Sequence, residues 1–267
     1  MATNKKVIEV EGGNAPSQTT GKVWTPTAEA KGRAGQNRLM AVVLWVLAIV
    51  AEIIGIWFLL KYTPLMGGKK IGMIAILAVD LILLIAGSSF WKKANRLDPP
   101  SRASALFGIQ SQLGVIMAVV CFAPVIIVAF LKKEYLITGI AAAMMVGGGA
   151  ASADYHPASQ EQYAQQTAEV TALAGNDLVY WTKSGTKYHL YDDCHYINTS
   201  KTTEINHGTV AQARELKNIT ELCSACRTRM MNEKRISEDQ LQQAQTALQS
   251  AQKAAGATQT ETPQPTQ

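Results

Sequence analysis

Residues 39–60 read LMAVVLWVLAIVAEIIGIWFLL, an apolar run interrupted by one charge, Glu52. An α-helix rises about 1.5 Å per residue, so a run of about 20 residues crosses the roughly 30 Å hydrocarbon core of a bilayer. Residues 71–91 form a second such run, broken only by Asp80, and residues 113–131 a third, containing Pro124. A fourth, 136–151, is shorter and rich in Ala and Gly (MMVGGGAA). The pattern predicts an α-helical membrane protein with three to four transmembrane helices between residues 39 and 151, followed by a small α+β domain towards the C-terminus.

The loops are basic. Lys61, Lys69 and Lys70 join the first two runs; Lys92, Lys93, Arg96 and Arg102 join the next two; Lys132 and Lys133 precede the fourth. With four spans and the N-terminus inside, seven basic residues (Lys31, Arg33, Arg38 and the second loop) stay in the cytoplasm, against five in the reverse orientation. The positive-inside rule then favours a multi-pass cell-membrane protein with both ends cytoplasmic. If the fourth run only lies on the surface, the C-terminal domain is outside. Residues 1–134 carry 15 Lys/Arg against 7 Asp/Glu, and residues 135–267 carry 10 against 13. The basic excess surrounds the apolar runs, which points to the lipid bilayer as partner and argues against nucleic acid. Glu52 and Asp80 fall near mid-span. Acids there are costly; they are read either as an ion or proton path of a small transporter, or as neutral, hydrogen-bonded carboxyls that help the helices pack.

Residues 1–38 are polar, lack the apolar core of a signal peptide and read as a disordered basic tail. Residues 152–175 read as a helical linker, with Ser159 and Gln162 as a capping box and Gly175 as its stop. Within 176–235, LVYWTKSGTKYHL reads as two short strands around a Ser-Gly turn, and HGTVAQARELKN as a short helix capped by Thr209 and Gln212. Residues 236–267 read as a helix running into a low-complexity, disordered tail.

Two further stretches carry the chemistry, KYHLYDDCHYI (187–197) and LCSAC (222–226). The chain has four Cys and four His. Cys121 lies in an apolar run and reads as packing. The candidate metal ligands are His189, Cys194, Cys223 and Cys226. A Cys-x2-Cys pair at a helix start offers two sulfurs to one ion, and a tight turn brings His189 and Cys194 to the same point. One imidazole and three thiolates make a closed tetrahedral set suited to structural Zn2+. So small a module has little core, so a metal supplies folding energy. His195 and His207 are alternative nitrogen ligands; His195, adjacent to Cys194, would have to turn back sharply. A redox Cys-x-x-Cys or a Cys194 disulfide are the other readings, although the βαβ context of a thioredoxin-like motif is absent.

The stretches VYWTKSGTKYHLYDDCHYI, GTVAQARELK and LCSAC resemble the small metal-binding domain of the bacterial Ada DNA-repair protein. They are more similar still to its shortened relatives, which end secreted or membrane proteins of Gram-positive bacteria. The resemblance covers residues 179–227 and implies zinc held by four side chains. Ada has a methyl-accepting Cys at its first ligand position, where this sequence has His189. An imidazole is a poorer alkyl acceptor than a thiolate, so the resemblance implies the fold and the zinc without the methyl transfer. The membrane half resembles no characterised family.

The expected function is a multi-pass membrane protein, not an enzyme, whose structural zinc module binds or scaffolds a protein partner. The alternatives are a membrane-bound thiol or zinc sensor and a small transporter using Glu52 and Asp80. A zinc hydrolase would need an open coordination position and a base; Asp192 and Asp193 are near, but more simply shape the turn.

Overall fold

The computed structural model describes residues 6–10, 26–217 and 219–258. It falls into two compact units, Lys31–Ala158 and a second one made of Met1–Ala30 together with Ser159–Gln267.

The first unit is helical. Helix α1 (Ala28–Tyr62) begins in a stretch of good helix formers ahead of its apolar run, then α2 (Gly68–Leu97), a short α3 (Phe107–Ser111), α4 (Leu113–Leu131) and α5 (Tyr135–Ser152) follow. Four of these, α1, α2, α4 and α5, are long and apolar enough to cross a membrane. Their inner faces build one core from Trp45, Leu59, Met73, Leu77, Leu84, Phe122 and Ile137. Their outer faces are equally apolar: Val46, Trp57, Val79, Ile127 and Val146 are all exposed. A protein surrounded by water would not display so much apolar surface, whereas lipid-facing helices require it.

The connections fix which helix ends share an end of the bundle. Arg38 near the start of α1 donates to the Asp98 carboxylate and carbonyl beyond the end of α2, both at 2.9 Å. At the same end, Lys92 of α2 donates to the Ala151 carbonyl of α5 at 3.0 Å. Gln112, before α4, donates to the Asp154 carbonyl at 2.8 Å and accepts from its N–H at 3.3 Å. At the opposite end, the buried Glu134 carboxylate between α4 and α5 accepts from the Leu65 N–H between α1 and α2, at 2.6 Å. The helices therefore alternate in direction, and α5 runs back to the end where α1 starts.

The second unit holds α6 (Gln160–Ala174), β2 (Leu178–Trp181), β3 (Lys187–Tyr188), β4 (Glu204–Thr209), α7 (Val210–Lys217), β5 (Glu221–Leu222), α8 (Ser224–Lys234) and α9 (Glu238–Thr258). Ser159 accepts from the Gln162 N–H at 3.2 Å, and Gly175 closes α6 at φ 84°, a left-handed conformation that only glycine adopts freely. Thr209 and Gln212 satisfy each other reciprocally at the start of α7: the Thr209 N–H donates to Gln212 Oε1 at 2.8 Å, and the Gln212 N–H to Thr209 Oγ1 at 3.2 Å.

Residues 6–10 and 26–38 depart from the expected disordered tail. Lys6–Glu9 forms a strand, β1, and α1 already begins at Ala28. Strand β1 pairs in parallel with β4, giving a three-stranded sheet of order β1-β4-β2. Lys6–Glu9 is ordered by a partner far away in the chain, which composition alone does not reveal. The compact unit is correspondingly larger than residues 176–235, because β1, α6 and α9 belong to it. The remainder of the tail, 1–5 and 11–25, and residues 259–267 lie outside the described residues.

Candidate metal centre

Strands β3 and β5 are only two residues each, but their register is decisive. Tyr188 pairs with Leu222, which sets the next residues, His189 and Cys223, side by side. The Cys223 N–H donates to the Tyr188 carbonyl at 2.9 Å. His189 is also bridged to Tyr180 of β2, with two backbone hydrogen bonds of 2.7 and 2.8 Å. Cys223 is the residue before α8 and Cys226 lies in its first turn, so the helix start presents both sulfurs. Cys194 enters through the turn at 191–194, and its carbonyl accepts from Ile197 and Asn198 at 3.0 and 2.7 Å.

The result is a buried cluster of His189, Cys194, Cys223 and Cys226 whose candidate ligand atoms all lie within 4.8 Å of one another. Cys226 Sγ and His189 Nδ1 are 3.6 Å apart. Bonds of about 2.3 Å to sulfur and about 2.0 Å to nitrogen at a tetrahedral angle put the two atoms at about that separation. Burial and the nearby His195 hold His189 down to about 4, so its imidazole is neutral and has a lone pair to give. Burial pushes the Cys226 thiol up to about 12, reinforced by Cys194 and Cys223 and opposed by a backbone hydrogen bond from Leu190. Without a cation the Cys226 sulfur has no reason to ionise; a bound dication supplies that reason. The donor set thus fits a metal ion of the sulfur- and imidazole-preferring kind.

The other two histidines of the module are elsewhere. His195 is exposed and packs on Tyr196 at 4.0 Å between ring centroids. His207 stacks on Tyr180, at 4.5 Å, and its Nδ1 lies 3.8 Å from Glu9 Oε1.

A shell of polar contacts, not anticipated from the sequence, holds the ligand-bearing turn. Arg229 donates to Asp193 at 2.7 Å and to Glu233 at 2.9 Å, while its guanidinium sits 4.0 Å from the centre of the Tyr191 ring. The Tyr191 hydroxyl donates to Glu233 at 2.6 Å. Asp193 is therefore an arginine partner that pins the turn to α8. Arg227, two residues earlier in α8, ties this helix to its neighbours, reaching Glu169 of α6 at 2.8 Å and Glu238 of α9. Only the Arg229/Glu233 spacing of four residues offered a local sign of this network.

In the helical unit, Glu52 and Asp80 are both buried, and among the described residues neither Asp80 oxygen nor Glu52 Oε1 has a hydrogen-bond partner. The expectation of hydrogen-bonded packing carboxyls is not met for these atoms.

No family model, no curated protein and no solved structure matches this chain.

Proposed function

We propose that the chain is a multi-pass membrane protein of the cell membrane whose C-terminal module is held together by structural zinc and serves to bind or scaffold a protein partner. The observation that carries this reading is the buried His189, Cys194, Cys223, Cys226 set, gathered within 4.8 Å. Four protein donors close a tetrahedral ion, which leaves no position for a substrate and suits a structural role. Zinc matches three thiolates and an imidazole better than oxygen-preferring ions do. The similarity of residues 179–227 to the Ada-type module supports the same ion. The cluster is itself much of the local core, together with Ile197 and Ile205, so the ion takes the place of missing apolar mass. The basic loops support a cytoplasmic placement of the module.

The test is metal analysis of the full-length protein purified in detergent under reducing conditions. About one zinc per chain is expected, lost in Cys223→Ser and Cys226→Ser. Less than about half an equivalent in the parent chain, with the module still folded in chelator, would remove the basis for the proposal.

One observation favours a second reading. Glu52 Oε1 and the two Asp80 oxygens, buried and without a partner among the described residues, are what a small transporter would use to carry a proton or cation. Reconstituted vesicles decide this: ion or proton flux that is abolished by Asp80→Asn supports transport, and its absence in the parent chain rejects it.

A further inference from the structure

The N-terminal segment and the metal module share one sheet, although the four candidate spans lie between them in the chain. Three independent contacts make the connection. In the register of β1 on β4, Lys6 faces Glu204 and Glu9 faces His207. Val10 continues it: its N–H donates to the His207 carbonyl at 3.0 Å, and its carbonyl accepts from Gln212 Nε2, also at 3.0 Å. The Val10 side chain packs on the cluster of Val170, Val179, Trp181, Tyr188 and Val210. Closer to the first span, Thr27 caps α1, accepting from the Ala30 N–H at 3.1 Å, and is gripped by Glu215 of α7. Its hydroxyl donates to one Glu215 oxygen at 2.8 Å and its N–H to the other at 3.3 Å.

We propose that residues 6–10 are a built-in ligand for the outer edge of β4, and that this clasp places both ends of the chain on one side of the membrane after an even number of crossings.

Without β1, β4 would be an edge strand with a row of unpaired N–H and C=O groups, the kind of edge that captures extended peptides. The occupant suits the role. Val7, Ile8 and Val10 are β-branched, and the charges of Lys6 and Glu9 suit an edge strand that faces water. The strand is mostly exposed, so its hold comes chiefly from backbone hydrogen bonds, the Gln212 amide and the packed Val10 side chain. Gln212 joins the clasp to the module, because the same amide that accepts from the Thr209 N–H donates to Val10.

The topological half follows from connectivity. A sheet cannot form through a bilayer, so β1 and β4 share a side, and an odd number of spans between them is impossible. The alternating helices of the bundle reach the same count independently, since α5 returns to the end where α1 starts. The Ala- and Gly-rich 18-residue α5 is therefore a span and not a surface helix. This inference rests on the membrane reading of the four helices and not on the metal.

The experiment uses the full-length chain in its membrane. Alkaline carbonate extraction comes first; release of the chain from the pellet overturns the membrane reading and the crossing count with it. On retained protein, a short acceptor peptide is fused to the N-terminus in one version and to the C-terminus in another. Each is labelled in intact cells by an added ligase that cannot cross the membrane. Both ends are expected to give the same result, and opposite results in retained protein overturn the clasp. In detergent, amide hydrogen exchange over residues 6–10 is expected to be slowed about tenfold or more relative to Val10→Pro, which lacks the N–H donated to His207. Equal rates in the two proteins overturn the docking of the strand, whatever the labelling shows.

Discussion

Tyr180 and His189 exchange two backbone hydrogen bonds, His189 N–H to the Tyr180 carbonyl at 2.7 Å and Tyr180 N–H to the His189 carbonyl at 2.8 Å. The main chain alone therefore sets where the imidazole starts, and truncating the side chain leaves that anchor in place. His189→Ala is expected to weaken zinc retention by more than about a hundredfold, since even groups that only hydrogen-bond to a metal ligand are worth about 10–100-fold. His207→Ala, whose ring stacks on Tyr180 outside the cluster, is expected to retain the metal. Competition with a chromophoric chelator measures both, and equal loss would show that the assigned imidazole is the wrong one.

Metal removal is expected to act on one unit only. The cluster around Ile197 and Ile205 consists largely of the candidate ligands, whereas the helical core around Phe122 and Leu84 contains none of them. Chelation in reducing buffer should raise hydrogen exchange across residues 178–234 by more than about tenfold while leaving the spans unchanged. Exchange that stays slow throughout the module would mean that the polar shell around Arg229 and Arg227 holds it without an ion.

Gln212 is buried and serves two partners, so its loss should exceed that of a simple helix cap. Thr209→Ala is expected to cost about 1 kcal/mol, the usual value for a cap. Gln212→Ala is expected to cost about 1–3 kcal/mol, because the Val10 carbonyl and the Thr209 N–H both lose a partner. Denaturant unfolding gives the first comparison. Exchange at residues 6–10 gives the second, and should rise in Gln212→Ala alone.

Gly114 opens the way for a close approach inside the helical unit. A Cβ there would lie 2.7 Å from Ser88 Oγ and 3.0 Å from the Ser152 carbonyl oxygen. Gly114→Ala is expected to destabilise the bundle by about 1–3 kcal/mol, the range for overpacking. Gly139→Ala meets no atom within 4 Å and should be neutral or slightly stabilising. Thermal unfolding in detergent distinguishes them, and matching midpoints would mean that the helices shift apart at little cost.

Much of this was legible locally. The apolar runs mark α1, α2, α4 and α5 because hydropathy is additive along a helix, and Thr209/Gln212 and Ser159/Gln162 mark helix starts because capping is a contact across three residues. The cysteine spacing at 223 and 226 pointed to the cluster for the same reason. What was not legible is non-local. Val7, Ile8 and Val10 suit a strand but make too short a run to announce one; its partner is Glu204–Thr209, and the Gln212–Val10 contact joins residues 202 apart. The parallel pairing of β3 with β5, which sets His189 beside Cys223, rests on two residues in each strand and has no periodicity to read. Nor does composition show that Asp193 faces Arg229 instead of a substrate.

The pairing of Lys6–Glu9 with Glu204–Thr209 also sets a schedule for biogenesis. The ribosome makes one strand before any of the four apolar helices and its partner after all of them. At about 5–20 residues per second, the first strand waits on the order of 10–40 s for the second. Its shortness and its two charges keep it from pairing elsewhere in that interval. Closing the sheet is consequently a late step; on the proposed topology it is available only to a chain that has completed its last crossing, and a chain stalled after three would leave the two strands facing different compartments.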